Sequence, residues 1–105
     1  MSVSVVVPAY NEASRISAVL TPLVDCASVD EVIVVDDGSD DGTAKVAQGF
    51  RDVQVISLPQ NRGKAAALDE GVSQARNETL LFLDADLVGL TEGHVQRLIE
   101  VYREQ

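Results

Sequence analysis

The sequence is poor in basic residues and in long apolar runs, and both shortages exclude classes of protein. Its 105 residues hold 8 Lys and Arg against 17 Asp and Glu, a net charge of −9. Nucleic acids and anionic membranes are bound through basic patches, so we expect neither as a partner. No apolar run approaches the length of a bilayer span, so we expect no membrane span.

Cysteine is nearly absent as well. The single residue of this type, Cys26, rules out an internal disulfide. The first residues, MSVSVVVPAYNE, lack the basic start and the cleavage site of a signal peptide. The simplest prediction is therefore a cytoplasmic protein.

What the chain does contain is typical of one small globular domain. It is 46% hydrophobic and 24% charged, and we treat residues 1–105 as a single unit. Apolar runs alternate with helical patterns four times. Strands are predicted at 4–7, 31–35, 53–58 and 79–83. Helices are predicted after Asn11, over 43–50, over 64–75 and after Thr91, with Asn11, Asp40 or Asp41, and Thr91 as the capping residues.

This alternation predicts an α/β fold. Short connections between strands and helices favour a three-layer α/β/α, Rossmann-like parallel sheet, and we expect the strand order 3-2-1-4. The run at 53–58 alternates in polarity, which suits an edge strand. In such sheets ligands bind beyond the carboxyl ends of the strands, near the point where the winding reverses.

Carboxylates collect at that end of the predicted sheet. Glu12 follows the first strand, Asp36 and Asp37 follow the second, and Asp84 and Asp86 follow the fourth. Residues two apart on an extended chain point the same way, so Asp84 and Asp86 would face one spot if the chain is still extended there. Two adjacent carboxylates repel unless a cation lies beside them, and oxygen ligands favour Mg²⁺ or Mn²⁺. The competing interpretation is that an aspartate after a strand is only a turn or cap residue. It is the stronger interpretation for Asp40 and Asp41, and for Asp36 the two interpretations are equally supported.

Four segments, VSVVVPAYNEASRI, EVIVVDDGSDDGT, NRGKAAALDEGV and LLFLDADLVGL, occur in this order between residue 3 and about residue 90. Together they resemble the N-terminal half of the family-two glycosyltransferases, which have the GT-A fold. The resemblance implies a partial GT-A domain that binds a nucleotide-diphosphate sugar, linked to UDP or GDP. It also implies a divalent cation, Mg²⁺ or Mn²⁺, and transfer of the sugar to an acceptor hydroxyl.

The same resemblance implies the site residues. The base and ribose would be met by six residues: Pro8, Ala9, Tyr10, Glu12, Asp36 and Asp37. Lys64 would lie near the base or the diphosphate. Asp86 would bind the metal directly, and Asp84 would be shared between the metal and the ribose.

Alternatives from other classes remain. One is a nucleotide-binding or interaction module without turnover. Another is a receiver-type phosphoacceptor domain, although its acidic pair would follow the first strand rather than the second. A nucleotidyltransferase would need a glycine-rich phosphate loop after the first strand, and PAYNE has none.

The resemblance also implies a second half that carries the acceptor site and, in inverting members, a carboxylate base. The fourth strand is apolar like a central strand, yet the order 3-2-1-4 places it at an edge. We therefore expect either a fragment of a longer transferase or a homodimer that pairs through the strand-four edge.

Overall fold

The computed structural model describes residues 2–103, in which four strands alternate with four helices. The elements in chain order are β1 (Val3–Ala9), α1 (Ile16–Asp25), β2 (Glu31–Asp36), α2 (Thr43–Gln48), β3 (Val53–Ser57), α3 (Lys64–Gln74), β4 (Thr79–Phe82) and α4 (Glu92–Arg103). Within these residues, no helix combines the length and the hydropathy that crossing a bilayer requires.

The strands form one parallel sheet in the order β3-β2-β1-β4, which confirms the predicted order. β1 and β2 are central because their valine-rich runs are buried on both faces. Val6 of β1 lies between Ile33 of β2 and Phe82 of β4 in the register of the sheet. The winding reverses between β1 and β4, so the ends of β1, β2 and β4 adjoin one another.

Helices cover both faces of the sheet, as predicted for three layers. One face packs against α1, α2 and α4 and forms the larger core, in which Val5, Leu20 and Ile99 are buried. The other face packs against α3 through a smaller cluster, in which Val6, Ile33 and Ala67 are buried.

α3 lies close to the sheet at Gly71. A Cβ atom at this position would come 2.4 Å from Cγ1 of the buried Val6. Lys64, Ala67 and Gly71 have the spacing i, i+3, i+7, so they share the sheet-facing side of α3. The close packing at Gly71 therefore directs the first turn of α3, with Lys64, toward the carboxyl end of the sheet.

Two of the three predicted helix caps differ in the structure. Asn11 does not cap α1, which begins at Ile16 after a loop in which Asn11 has a φ of +52°. The cap of α2 is Gly42, although Asp41 accepts a hydrogen bond from the backbone N–H of Thr43 at 3.0 Å. Thr91 does cap α4, because its hydroxyl accepts a hydrogen bond from the backbone N–H of His94.

β4 is an edge strand whose apolar residues are only partly covered. Residues 79–81 are half-buried and Phe82 is 48% exposed, so the sequence interpretation of a fully buried strand does not hold within residues 2–103. Leu98 and Tyr102 of α4 are also exposed and border a small apolar groove beside β4. The predicted conflict between an apolar strand and an edge position is therefore present in the structure.

The buried carboxylate of Glu31 links several elements at the amino end of the sheet, where β1 and β2 begin. Glu31 accepts hydrogen bonds from the Ser4 hydroxyl at 2.7 Å and from the backbone N–H of Arg76 at 2.9 Å, and its second oxygen pairs with Arg76 Nε. Burial alone would raise the pKa of Glu31, but these hydrogen bonds and the guanidinium charge outweigh it, and the pKa is lowered. Glu31 therefore ties β1, β2 and the connection before β4 together.

Replacing Glu31 with glutamine should lower the free energy of unfolding by about 2 kcal/mol at neutral pH, because charge-assisted hydrogen bonds are lost. The folded pKa lies below the usual 4.5, so ionised Glu31 stabilises the fold above that pH and stops doing so as the pH falls through its folded pKa. Urea unfolding should show the difference between wild type and E31Q narrowing from neutral pH to about pH 3.5. An equal difference at both pH values would contradict this role.

Candidate functional site

A cleft of about 400 Å³ lies beyond the carboxyl ends of β1, β2 and β4. Its walls come from the loops that follow these strands and from the first turns of α3. The lining residues are Pro8, Ala9, Tyr10, Glu12, Asp37, Asn61, Gly63, Lys64, Ala67, Asp84, Ala85 and Asp86. The structure thus brings together every predicted site residue except Asp36.

Asp36 lies beside the cleft rather than in its lining. It is 5% exposed, and its Oδ1 accepts a hydrogen bond from the backbone N–H of Ser39 at 3.1 Å. This bond closes the turn after β2. Asp36 shapes the loop that carries Asp37.

Asp37 contacts the segment before α3 with both carboxylate oxygens. Oδ1 accepts from the backbone N–H of Arg62 at 2.8 Å, and Oδ2 accepts from that of Gly63 at 2.9 Å. The side chain is almost fully buried, at 4% exposure for the residue. Asp37 therefore fixes the position at which α3 begins, and with it the position of Lys64.

Gly38 lets the two loops come this close. Its φ is +74°, and a Cβ atom would lie 2.4 Å from the backbone carbonyl carbon of Gln60 and 2.5 Å from the backbone nitrogen of Asn61. Glycine is the residue that adopts this conformation without strain, and no larger residue fits the contact. The turn after β2 and the segment before α3 form one continuous wall of the cleft.

Side-chain hydrogen bonds also join the loop after β1 to the loop after β2. The backbone N–H of Glu12 donates to the Thr43 hydroxyl at 2.9 Å, and Thr43 donates in turn to Asp41. Asp41 also accepts from the backbone N–H of Ala13 at 3.1 Å. The Thr43 hydroxyl, helped by the backbone N–H groups, lowers the pKa of Asp41.

A second pair of bonds joins the same loops. The backbone N–H of Asn11 donates to the Ser39 hydroxyl at 2.8 Å, and Asn11 Oδ1 accepts from the backbone N–H of Asp40 at 3.0 Å. Glu12 itself is 8% exposed and forms an ion pair with Arg15. The half-exposed ring of Tyr10 is thus carried on a loop held at several points.

The two aspartates after β4 reach the cleft by a route that differs from the prediction. β4 ends at Phe82, and the chain turns after Asp84 instead of continuing extended, with Leu87 N–H donating to the Asp84 carbonyl. Asp84 and Asp86 are exposed, while Leu83, which precedes them, and Ala85, which lies between them, are buried. Both carboxylates line the same cleft, although the chain that carries them is a turn and not an extended strand.

Lys64, in the first turn of α3, forms an ion pair with Asp84 of this turn. Its ammonium group contacts Asp84 Oδ1, with side-chain exposures of 61% for Lys64 and 49% for Asp84. The pair joins the first turn of α3 to the segment after β4. It places a positive charge directly on one of the two predicted metal ligands.

The site supplies few protein ligands to a metal. Across residues 2–103, no group of three or more His, Cys, Asp or Glu comes together. After β4, Asp84 and Asp86 are the two carboxylates that line the cleft. This donor set fits Mg²⁺ or Mn²⁺, which bind one or two carboxylates and complete their shell with water and phosphate oxygens.

Several residues of the site were not identified from the sequence. Asn61 and Gly63 line the cleft, and Asn61 Oδ1 accepts from the backbone N–H of Gly63 at 3.1 Å. Thr43 and Ser39 hold the neighbouring loops together. A turn sequence ahead of a helix was the only available signal for Asn61, and such turns are common in any protein.

The chain is similar to glycosyltransferases in sequence. A mouse (Mus musculus) dolichyl-phosphate beta-glucosyltransferase is 44% identical over 98 residues, which cover 79% of this chain and 30% of the mouse protein. A poly-beta-1,6-N-acetyl-D-glucosamine synthase of Staphylococcus epidermidis is 37% identical over 90 residues, covering 82% of this chain and 22% of the synthase. The chain thus spans a third or less of the length of these relatives.

It is also similar to glycosyltransferases in structure. A mannosyltransferase from Pyrobaculum calidifontis, solved with GDP-Man and Mn²⁺, superposes with a TM-score of 0.81 at 30% identity over 93% of this chain and 31% of its own. Glucosyl-3-phosphoglycerate synthase from Mycobacterium tuberculosis was solved with Mn²⁺, UDP and glucosyl-3-phosphoglycerate. It superposes with a TM-score of 0.84 at 30% identity, and the match covers 96% of this chain and 39% of the synthase. The sequence model described as glycosyl transferase family 2 matches residues 4–105. The chain belongs to glycosyl transferase family 2.

Proposed function

We propose that this chain is the donor-binding part of a metal-dependent glycosyltransferase, and that residues 1–105 form one nucleotide-sugar-binding subdomain. The ligand is a nucleotide-diphosphate sugar linked to UDP or GDP, and the sugar passes to an acceptor hydroxyl. One observation carries the proposal. The carboxylates Asp84 and Asp86, the ammonium group of Lys64 and the loop after β1 all line one cleft at the ligand end of the sheet.

The lining of the cleft offers groups for both parts of such a ligand. Pro8, Ala9 and the exposed aromatic ring of Tyr10 suit a base and a ribose. Glu12 also lines the cleft and is a hydrogen-bond acceptor for a base imide or a ribose hydroxyl. Asp36 and Asp37 complete the set that we assign to the base and ribose, and both also hold the loop after β2.

Three other lining residues suit a diphosphate and a cation. Asp84 and Asp86 supply the carboxylate oxygens, and Lys64 supplies a point charge for a phosphate oxygen. A divalent cation, Mg²⁺ or Mn²⁺, offsets the charge of the departing diphosphate when bound there. The cation also explains how a chain with a net charge of −9 holds an anionic ligand.

A binding module without turnover is the second candidate for this chain by itself. Its support is the same cleft, because these lining residues can hold a nucleotide whether or not a sugar is transferred. A receiver-type phosphoacceptor domain is less well supported. The acidic pair Asp36 and Asp37 follows β2, is buried, and already accepts three backbone hydrogen bonds.

Calorimetry of the chain with UDP and GDP, with and without Mn²⁺, tests the proposal. We expect one of the two nucleotides to bind, and to bind more tightly when Mn²⁺ is present. Phosphorylation of an aspartate by acetyl phosphate, with no binding of either nucleotide, would favour the receiver alternative. Nucleotide binding that is indifferent to Mn²⁺ would favour a metal-free module.

Two further expectations stay predictions. A cytoplasmic location is supported by the single cysteine and by the acidic composition. A homodimer through the β4 edge is supported by the exposure of Phe82, Leu98 and Tyr102 at that edge.

A further inference from the structure

The ion pair between Lys64 and Asp84 occupies the place that the proposed function gives to a divalent cation. We propose that Lys64 is an internal counter-cation, which neutralises Asp84 in the metal-free protein and exchanges it for the diphosphate when metal and nucleotide bind. This inference rests on the proposed function. It adds to that function a direct competition between a residue of the chain and the metal.

The backbone around Lys64 is held by neighbouring contacts. The sheet-facing side of α3, fixed by Gly71 against Val6, brings the first turn of the helix to the cleft. The hydrogen bonds from Arg62 and Gly63 to Asp37 hold the residues immediately before it. With the backbone held on both sides, only the flexible side chain of Lys64 has to move.

Helix electrostatics disfavour a lysine at this place unless an anion faces it. The N-terminus of a helix carries a partial positive charge, which repels an ammonium group in the first turn. No acidic residue lies in the first turn of α3. Asp84, on another element, supplies the missing negative charge. A diphosphate at the same place would supply more of it.

The same pair stabilises the metal-free site. Asp84 and Asp86 are separated by one residue and line one cleft, so their charges repel unless a cation is near. Lys64 reduces that repulsion, but a metal approaching Asp84 must first displace the ammonium group. Displacement leaves Lys64 beside the diphosphate site, so metal and nucleotide should each favour the binding of the other.

Binding of Mn²⁺ alone, followed by electron paramagnetic resonance of the free ion, tests the exchange. We expect K64M to bind Mn²⁺ about two- to fivefold more tightly than wild type, the range typical of an exposed ion pair. The same variant should bind UDP or GDP more weakly in the presence of Mn²⁺. The factor by which nucleotide improves Mn²⁺ affinity should therefore be smaller in K64M than in wild type.

A control variant separates this effect from general charge. K45M removes the same unit of charge from an exposed position on α2 that does not line the cleft, and its Mn²⁺ affinity should match that of wild type.

The outcomes distinguish the two proposals. If wild type binds Mn²⁺ and K64M binds it no more tightly than K45M does, the exchange is wrong and the metal site stands. If neither wild type nor K64M binds Mn²⁺, the metal site itself is wrong and the exchange is wrong with it.

Discussion

Replacing Asp86 with alanine should abolish the Mn²⁺ dependence of nucleotide binding and weaken Mn²⁺ affinity at least about 100-fold. Loss of a group that only orients a metal ligand lowers metal affinity about 10- to 100-fold. Asp86 is proposed to bind the metal itself, so its loss should cost more. Within residues 2–103 no third His, Cys, Asp or Glu joins Asp84 and Asp86 in a metal-binding group, so we expect water and phosphate oxygens to complete the shell. Calorimetry with Mn²⁺ and with UDP or GDP measures both effects.

D69A is the matched control for this experiment. Asp69 is an exposed carboxylate on α3 that does not line the cleft, and its removal changes the net charge by the same amount. We expect D69A to retain the Mn²⁺ affinity of wild type. Equal losses in D86A and D69A would show that bulk charge, and not coordination, controls the binding of the metal. Unchanged Mn²⁺ affinity in D86A would remove Asp86 from the site.

The second large effect is expected at Gly38. Changing it to alanine should lower the free energy of unfolding by about 3 kcal/mol, because two costs add. A left-handed backbone strains any residue with a Cβ by about 1–2 kcal/mol, and overpacking against atoms that cannot move costs about as much again. The atoms in question belong to the backbone of Gln60 and Asn61, 2.4 and 2.5 Å from the new Cβ. Urea unfolding measures the change.

Gly42 provides the control that separates the two costs. Its φ is +87°, and a Cβ there would have nothing within 4 Å. G42A should therefore lose only the strain, about 1–2 kcal/mol. If G38A and G42A lose the same amount, the contact between the turn after β2 and the segment before α3 contributes nothing to stability.

The order of the sheet could be predicted because the residues of each central strand themselves indicate a strand that is covered on both faces. The valine-rich runs of β1 and β2 fit strands covered on both faces, and the alternating run at β3 fits an edge. The chain connections then leave few ways to wind a parallel sheet. The same rule located the cleft, since carboxyl ends of parallel strands meet at one edge of the sheet.

The internal contacts of the site could not be predicted in the same way. Asp37 was interpreted as a ligand contact, while the structure shows both of its oxygens bonded to Arg62 and Gly63, about 25 residues away along the chain. Asn11 was interpreted as a helix cap, and it instead joins the loop after β2. Sequence patterns report the local preference of a residue, and these partners come from distant segments that only the fold brings near.

The turn after β4 could not be predicted from the sequence pattern, for a related reason. The alternation of Leu83, Asp84, Ala85 and Asp86 fits an extended chain, and burial does alternate as expected. The backbone nevertheless turns after Asp84. Alternating burial is produced by a turn packed against a core as well as by a strand, so the pattern alone does not separate them.

The hydrogen bonds between the loops after β1 and β2 also bear on how the protein moves. The wall formed by the loops after β1 and β2 is cross-linked at Asn11, Glu12 and Thr43, and Asp37 and Gly38 attach it to the segment before α3. The segment after β4 is joined to α3 by the exposed pair of Asp84 and Lys64, and beyond Asp86 it contains Val88, which is 93% exposed, and Gly89, whose φ is +76°. We therefore expect adjustment to a ligand in the residues after Asp86, on the timescale of loop motion, and little change in the cross-linked wall.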